Sequence, residues 1–335
     1  MPIKIAINGF GRIGRAAFKV AISKKKYQVV AINDLISPDV AAYLLQYDTV
    51  YGRYPHTVKS DKKNLIVDGM KYLITNIKEP AKLPWKKLKV DVALECTGRF
   101  INPTDLALHL KAGAKKAILS APAKGEETAT YILGVNVKGK LKQDVVSNAS
   151  CTTNCVSPVA EVIVSAFGVK KAMMTTVHAN TAEQSLVDGP PPALHHDLRR
   201  GRAAGHNIVP TSTGAAKAAA LVVPELKGLF DGMALRVPIS CGSISDFTFL
   251  LKKKVTVQQV NTALKRAALS TRYKGILETT TEPLVSSDIV GNPASAIVDL
   301  SLTQVVDGDL VKVVAWYDNE WGYANRLVEL AEKFK

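Results

Sequence analysis

A cysteine set among small polar residues offers the clearest chemistry in this 335-residue sequence. Cys151 lies within Ser-Asn-Ala-Ser-Cys-Thr-Thr-Asn-Cys at 147–155, where the pattern predicts that a strand ends and a helix begins. A helix N-terminus lowers the pKa of a thiol, and the thiolate is the nucleophilic form. The sequence therefore predicts a nucleophile at Cys151, with a pKa well below the usual value of about 8.5.

Cys96, Cys155 and Cys241 complete the set of four cysteines. Four are too few for a disulfide scaffold in a chain of this length, so the composition favours a reducing compartment, the cytoplasm. Cys155 follows Cys151 by four residues, inside the predicted helix, and we expect it to be a buried packing residue. The alternative is a C-x-x-x-C metal pair, but no second pair with finger-like spacing exists, so we predict no metal.

A nucleophilic cysteine usually works with a base, which histidine supplies best near neutral pH. The six histidines are His56, His109, His178, His195, His196 and His206. His178 stands near the end of a predicted strand at 169–179, where a side chain can face a cleft. A histidine in that place is more often structural when taken alone. Together with Cys151 and the glycine turn described next, it is predicted to be the acid–base partner.

A glycine-rich turn near the N-terminus has the spacing of a dinucleotide-binding site. Gly9, Gly11 and Gly14 form G-x-G-x-x-G between a predicted strand at 3–7 and a helix that runs to about Ser23. Gly9 would allow the tight turn, Gly11 the approach of a pyrophosphate, and Gly14 close helix–strand packing. Asp34 follows the last glycine by 20 residues, where a carboxylate binds ribose hydroxyls and repels a 2′-phosphate. These residues predict NAD rather than NADP.

Alternating strands and helices over residues 1–150 predict an α/β, doubly wound, mostly parallel dinucleotide-binding (Rossmann) domain. We predict further strands at 28–33, 90–96, 115–119 and 144–147, a hairpin over 57–75 that turns at Asp68-Gly69, and helices at 38–47 and 105–112.

Longer strands over residues 151–317 predict an α+β catalytic domain with a mixed or antiparallel sheet. We predict helices at 151–166, 213–222 and 257–269, the last with a Thr256–Gln259 capping box, and strands at 169–179, 230–238, 242–251, 294–304 and 310–317. Residues 180–206 are predicted to form a long ordered loop of functional importance. A last helix, at about 318–335, is expected to return to the first domain.

The charge leaves a polyanion partner open: 44 Lys+Arg stand against 29 Asp+Glu, a formal net charge of +15. Nucleic acid, an anionic membrane and phosphorylated metabolites all fit that charge. The basic runs are scattered and none alternates with aromatic residues, so nucleic acid is not the predicted primary partner. Arg199-Arg200-Gly201-Arg202 is the one basic cluster whose neighbours set it apart. No apolar stretch is long enough for a membrane span or a signal peptide.

Six segments, in order along nearly the whole chain from Ile3 to about Arg326, resemble phosphorylating glyceraldehyde-3-phosphate dehydrogenases. They are Ile-Asn-Gly-Phe-Gly-Arg-Ile-Gly-Arg at 7–15, Ser-Ala-Pro at 120–122, Ser-Asn-Ala-Ser-Cys-Thr-Thr-Asn at 147–154, Thr-Ser-Thr-Gly-Ala-Ala-Lys-Ala at 211–218, Ala-Leu-Arg-Val-Pro at 234–238 and Trp-Tyr-Asp-Asn-Glu-Trp-Gly-Tyr at 316–323. The resemblance implies reversible, NAD-dependent oxidative phosphorylation of glyceraldehyde 3-phosphate, by way of a thioester on Cys151 with His178 as acid–base.

The resemblance also implies roles for other residues. Those matched to cofactor contacts are Arg12, Ile13, Asp34, Lys78, Ser120 and Asn319, although many members carry Arg in place of Lys78. Ser150 and Thr152 flank the nucleophile, and those matched to the two phosphates are Thr181, Thr213, Gly214 and Arg236. A member would be a homotetramer, with the 180–206 loop near subunit contacts and a neighbour's cofactor.

Two departures and two rival functions remain open. Glu183 stands where several members have Asp, and 189–196 lies where family loops vary, which leaves dual NAD and NADP use possible. An erythrose-4-phosphate dehydrogenase of the same superfamily is one rival, because these residues hardly separate a three-carbon from a four-carbon aldehyde. A basic RNA-binding role on the same fold is the other. The physiological direction, glycolytic or gluconeogenic, is not written in the residues.

Overall fold

The computed structural model describes residues 1–125, 127–191 and 197–335. The chain divides into two units, and the break in the middle of the chain falls between Ser150 and Cys151. The first unit comprises Met1–Tyr131, Val137–Ser150 and Tyr323–Lys335, and the second comprises Ile132–Asn136 and Cys151–Gly322. His195 and His196, and most of the variable 189–196 stretch, lie outside the described residues.

The first unit is built on an eight-stranded sheet in the order β3-β4-β5-β2-β1-β6-β7-β8. Its strands are β1 (Ile3–Asn8), β2 (Tyr27–Asn33), β3 (Val58–Ser60), β4 (Asn64–Val67), β5 (Met70–Thr75), β6 (Val92–Glu95), β7 (Lys116–Leu119) and β8 (Val145–Ser147). Strands from β5 through β2 and β1 to β8 pair in parallel, while β3, β4 and β5 pair antiparallel. The predicted doubly wound, mostly parallel class is confirmed.

Helices lie in the connections from β1 to β2, from β5 to β6 and from β6 to β7, as is usual between parallel strands. They are α1 (Arg12–Ile22), α2 (Pro38–Gln46), α3 (Trp85–Leu88) and α4 (Pro103–Lys111). Short 3-10 turns cover Pro80–Lys82 and Ala331–Phe334. β1 is almost wholly buried and α1 is amphipathic. Ile5 and Ile7 of β1 and Phe18 of α1 are completely buried. This packing fixes the loop between β1 and α1 at the carboxyl edge of the sheet.

The second unit has a mixed sheet in the order β10-β11-β9-β12-β16-β14-β13, with β15 paired to β16. Its strands are β9 (Val169–Ala179), β10 (Val209–Ser212), β11 (Phe230–Val237), β12 (Ser243–Leu251), β13 (Leu277–Thr280), β14 (Ala296–Asp299), β15 (Gln304–Val306) and β16 (Leu310–Tyr317). Its helices are α5 (Cys151–Phe167), α6 (Ala215–Val222) and α7 (Val257–Ala268). Short 3-10 turns cover Leu198–Gly201, Pro224–Leu226, Ser286–Ile289 and Leu300–Leu302.

The predicted capping box of α7 is confirmed, because Thr256 Oγ1 accepts from Gln259 N–H and Gln259 Oε1 from Thr256 N–H. The last helix, α8 (Trp321–Leu330), is shorter than the predicted 318–335 and gives way to a 3-10 turn. From Tyr323 onward its residues belong to the first unit. No helix of the described residues has the length and apolar character to cross a membrane.

One predicted strand, 294–304, is wrong as a single element. The structure divides it into β14, a 3-10 turn over Leu300–Leu302, and β15. Asp299 causes the break, since its Oδ1 accepts from the backbone N–H and the hydroxyl of Ser301. A side chain that caps a turn in this way competes with the strand ladder.

Candidate active site

The glycine turn has the backbone shape that a dinucleotide requires. Gly9 has φ +96°, and a Cβ there would lie 2.7 Å from the Cys96 backbone. A Cβ on Gly14 would lie 1.9 Å from the Gly9 carbonyl oxygen, so α1 packs directly against the turn. Gly11, by contrast, faces open space, and no atom of the described residues lies within 4 Å of such a Cβ. An open backbone at a helix N-terminus without a side-chain cap suits a pyrophosphate.

Asp34 lies directly after β2, next to this turn. Its Oδ2 accepts from Phe10 N–H at 2.5 Å and its Oδ1 from Ile36 N–H at 3.2 Å, which fixes the carboxylate. It lines a cavity of about 660 Å³ together with Gly9, Asn33 and Lys78. Ligand pockets have volumes of roughly this size. The residues present therefore fit the ribose end of a dinucleotide.

The other residues matched to cofactor contacts are placed as follows. Arg12 opens α1, where its guanidinium pairs with Asp48 at 2.8 Å, and Ile13 follows it in the first turn. Ser120 directly follows β7, and its backbone N–H donates to the Glu95 carbonyl oxygen. Asn319 belongs to the second unit, where its buried Oδ1 accepts from Ser243 Oγ at 3.0 Å. The structure thus brings Gly9, Asp34 and Lys78 to one cavity in the first unit.

Cys151 and His178 meet in the second unit. Cys151 is the first residue of α5, and His178 is the penultimate residue of β9. The Cys151 sulfur lies 3.4 Å from His178 Nε2, which is hydrogen-bond distance for sulfur. The predicted pairing of these side chains is therefore present in the geometry. Ala149, two residues before the cysteine, has a positive φ of 52°, so the chain makes a tight bend into the helix.

The orientation of the imidazole follows from its other nitrogen. His178 Nδ1 lies 2.7 Å from the Ala179 carbonyl oxygen, which accepts only, so we assign the proton to Nδ1. Nε2 then carries a lone pair that faces the thiol. Arg236 Nη1 lies 3.1 Å from Nδ1 and donates to the same Ala179 carbonyl at 3.2 Å. This arrangement makes Nε2 a proton acceptor for Cys151.

Tyr317 fixes the surroundings of this pair and was not predicted from the sequence. Its hydroxyl lies 2.9 Å from Thr152 Oγ1 on α5 and 2.8 Å from Thr176 Oγ1 on β9. Its ring meets the His178 ring edge-to-face, with 6.0 Å between the centroids. One buried tyrosine thus joins the helix that carries the cysteine to the strand that carries the histidine.

The electrostatics of the site favour the neutral forms of both groups. Burial raises the pKa of the Cys151 thiol, although the Arg236 charge and the Thr152 hydrogen bonds oppose it. Burial and the Arg236 charge lower the pKa of His178 to about 3. The expectation that Cys151 titrates well below about 8.5 is therefore not supported, because burial outweighs the helix N-terminus. Reactivity must come from proton transfer within the pair.

Two guanidinium groups converge beside the histidine. Arg236 lies on β11 directly across from His178 in the β11–β9 register, and it also donates to Thr181 Oγ1 at 3.0 Å. Arg236 and Arg200 both donate to Glu183 Oε1. The Nε of Arg236 is buried and, among the described residues, has no acceptor. A buried donor left in this state suits a ligand oxygen.

Thr213 and Gly214 lie at the start of α6. Gly214 is exposed, and no side chain caps the helix there. Thr213, the residue before the N-cap, accepts from Ala215 N–H through its Oγ1 at 3.2 Å. Both residues are in the second unit with Arg236, and Ser150 is partly buried just before the nucleophile. Arg200 is a functional candidate that the sequence did not identify. The sequence analysis names it only as a member of the basic cluster at 199–202.

The described residues contain no group of three or more His, Cys, Asp or Glu side chains suited to a metal ion. Cys155 is completely buried in α5, as expected for a packing residue. The chemistry available at the site is thus that of a thiol, an imidazole and converging guanidinium groups.

The chain matches known protein families over most of its length. Residues 3–103 match the model for the NAD binding domain of glyceraldehyde 3-phosphate dehydrogenase, and residues 150–319 match the model for its C-terminal domain. The chain is 47% identical over 334 residues to glyceraldehyde-3-phosphate dehydrogenase of Zymomonas mobilis, covering 99% of this chain and 98% of that protein. It is 49% identical to the Geobacillus stearothermophilus enzyme and 50% to glyceraldehyde-3-phosphate dehydrogenase 1 of Bacillus subtilis, each over 333 residues, 99% of this chain and 98% of that protein.

Both matched models, and relatives at this identity over nearly the full length, carry the same family description. The chain belongs to the glyceraldehyde-3-phosphate dehydrogenase family.

Proposed function

We propose that this protein catalyses the reversible, NAD-dependent oxidative phosphorylation of D-glyceraldehyde 3-phosphate to 1,3-bisphosphoglycerate, in glycolysis or gluconeogenesis. The observation that carries the proposal is the 3.4 Å contact between Cys151 Sγ and His178 Nε2, with Arg236 alongside. A thiol with a base beside it can attack an aldehyde carbon when nearby hydrogen-bond donors hold the phosphate of the substrate in place.

The first step is addition of the sulfur to the aldehyde carbon. As the C–S bond forms, the thiol proton passes to His178 Nε2, and the aldehyde oxygen then takes that proton to give a hemithioacetal. The backbone N–H groups at the start of α5 would stabilise the oxygen while it is negatively charged. The Nδ1–H bond to Ala179 supports the imidazolium that forms in passing.

The second step makes the thioester. His178 Nε2 removes the hydroxyl proton while hydride leaves the carbon, which converts the hemithioacetal to a thioester on Cys151. When bound, NAD accepts this hydride. Asp34, the Gly9–Gly11 turn and Lys78 would hold the dinucleotide, with Arg12, Ile13, Ser120 and Asn319 as further contacts.

The third step releases the product. An oxygen of inorganic phosphate attacks the thioester carbonyl, the C–S bond breaks, and the sulfur leaves with the bonding electrons. Arg236 and Thr181, with Thr213 and Gly214, would hold the substrate phosphate and the inorganic phosphate, and Ser150 and Thr152 would line the approach. The buried Nε of Arg236, which has no acceptor in the described part of the chain, supports an oxyanion at this place.

The direct test is an assay of NAD reduction by glyceraldehyde 3-phosphate with and without inorganic phosphate. We expect sustained turnover only when phosphate is present. Equal sustained rates in both conditions would indicate hydrolysis rather than phosphorolysis of the thioester and would exclude the proposed reaction. Comparing kcat/KM for the three-carbon and four-carbon aldehyde phosphates tests the erythrose 4-phosphate rival.

Replacing Asp34 tests the choice of cofactor. We expect the unmodified protein to favour NAD over NADP in kcat/KM by at least about tenfold, because the fixed carboxylate repels a 2′-phosphate. Asp34→Gly should reduce the ratio of kcat/KM for NAD to kcat/KM for NADP. Asp34→Asn keeps an acceptor for Phe10 N–H, so it should reduce the same ratio without loosening the turn. If the unmodified protein uses both cofactors equally well, Asp34 does not set the preference, and the loop at 189–196 becomes the candidate.

Replacing Arg236 tests anion binding. Arg236→Ala removes charge-assisted hydrogen bonds, each worth about 1.5–3 kcal/mol, so kcat/KM for glyceraldehyde 3-phosphate should fall by one to two powers of ten or more. Glyceraldehyde, which lacks the phosphate, should lose less, and what it does lose reflects the Arg236 contacts at Ala179 and His178. Equal losses for both aldehydes would mean that Arg236 only supports His178.

We extend the proposal to a homotetramer in the cytoplasm. One face of the second unit's sheet is partly open, with Met173 on β9 and Met233 on β11 62% and 41% exposed. Leu186 and Leu198, on the segment after β9, are also largely exposed. Exposed apolar residues on this scale favour contacts between copies. Light scattering after size exclusion should give four times the mass of one chain, and a monomeric mass would refute the assembly.

A further inference from the structure

Glu183 is placed between the two arginines of the anion site. Its Oε1 accepts from Arg236 Nη2 at 2.9 Å and from Arg200 Nη1 at 2.5 Å. The arginine side chains are 12% and 8% exposed, whereas the Glu183 side chain is 32% exposed. A single carboxylate, open to solvent on one side, thus bridges two buried cations.

Both arginines have other contacts that hold them in place. Arg236 donates to the Ala179 carbonyl and to Thr181 Oγ1. Arg200 donates through Nε to Thr211 Oγ1 at 2.9 Å and through Nη2 to the Ser212 carbonyl at 3.4 Å. The positions of the two guanidinium groups therefore do not depend on Glu183 alone.

A carboxylate and a phosphate compete for the same donors. Both are oxyanions that guanidinium groups bind through charge-assisted hydrogen bonds. While Glu183 occupies Arg236 Nη2 and Arg200 Nη1, its negative charge also opposes that of an approaching phosphate. The solvent-exposed side of Glu183 gives it room to withdraw when an anion binds.

We propose that Glu183 sets the anion affinity of the site by competing with phosphate oxygens for Arg236 and Arg200. This inference rests on the proposed function and adds a specificity-determining residue to it. Glu183 weakens the binding of inorganic phosphate and of the substrate phosphate, which helps the acyl phosphate product to leave.

The test is the affinity for inorganic phosphate without aldehyde, measured from the shift in thermal midpoint with phosphate concentration. Glu183→Gln and Glu183→Ala both remove the charge, and each should lower the half-saturating phosphate concentration about three- to tenfold. The midpoint without phosphate should fall in both variants, because two buried cations lose a partner. Stability and phosphate affinity thus move in opposite directions, which a purely structural role for Glu183 does not produce.

Two controls accompany these variants. Glu183→Asp keeps the charge and should stay within about twofold of the unmodified protein. Asp231→Asn makes the same change in net charge at an exposed position on β11, away from both arginines, and should leave phosphate affinity unchanged. Unchanged or weaker phosphate binding in both charge-removing variants would overturn the inference. Failure of the proposed function shows itself separately, as an unmodified protein without phosphate-dependent NAD reduction.

Discussion

Cys151→Ala is expected to reduce phosphate-dependent NAD reduction below about one ten-thousandth of the unmodified rate, because the variant lacks the thiol on which the acyl intermediate forms. Cys155→Ala is the matched control, since it removes a thiol one helical turn further along the same helix. Cys155 is completely buried and its sulfur lies 4.0 Å from the Ala315 carbonyl oxygen, so this variant should keep most of its activity. Turnover is measured with glyceraldehyde 3-phosphate and saturating phosphate.

Alkylation gives an independent test of the same residue. Burial raises the pKa of Cys96 to about 12, and burial also raises the pKa of Cys155. Cys241 donates to Asp318 Oδ1 and is also buried. Iodoacetamide should therefore label Cys151 first, and activity should fall in step. Near-normal turnover in Cys151→Ala, or first labelling of Cys155 or Cys241 while activity persists, would contradict the mechanism.

His178→Asn is expected to slow the hydride step by about 10² to 10⁴-fold, the usual contribution of general base catalysis. The variant should also slow alkylation of Cys151, because the thiol loses its proton acceptor at 3.4 Å. The two losses need not be equal, since His178 accepts a proton again when hydride leaves. Stopped-flow measurement of the first turnover separates this step from product release.

The pH dependence should distinguish the unmodified protein from this variant. A neutral thiol–imidazole pair and a thiolate–imidazolium pair carry the same number of protons, so pH does not convert one to the other. The pKa of His178 is lowered to about 3, so the imidazole stays available as a base as pH falls through 7 and 6. Alkylation of the unmodified protein should thus be nearly flat between about pH 6 and 8.

Without the imidazole, only the free thiolate reacts, and burial raises the pKa of Cys151. The alkylation rate of His178→Asn should therefore rise about tenfold per pH unit over the same interval. A parallel rise in the unmodified protein would show that His178 does not share the thiol proton.

The sequence was sufficient for the elements where local pattern and packing agree. β9 and β16 match their predicted bounds, and α5 and β11 differ from theirs by only one residue. In each of these elements, the apolar residues recur in the sequence with the period of the strand or helix that the structure contains. β10 (Val-Pro-Thr-Ser) and β13 (Leu-Glu-Thr-Thr) were not predicted, because each is short and contains only one large apolar residue other than proline, too little to show a period. Their existence depends on pairing with β11 and β14, which is long-range information.

The candidate site divides in the same way. Cys151, His178 and Asp34 could be predicted, because each stands at a strand end or helix start that local pattern reveals. Tyr317 could not, since its role comes from two threonines that lie 165 and 141 residues away in the chain. The pKa of Cys151 was misjudged for a related reason: the helix N-terminus is visible in the sequence, whereas burial is not.

Trapping the acyl intermediate tests the central claim most directly. The protein, NAD and glyceraldehyde 3-phosphate are mixed without inorganic phosphate, quenched in acid, and analysed by peptide mass spectrometry alongside the yield of reduced cofactor. The account predicts a burst of up to one reduced cofactor per subunit, and the mass of a 3-phosphoglyceryl group on the peptide that carries Cys151. A burst of the same size with the acyl group on another residue, or with no acylated peptide, would contradict it.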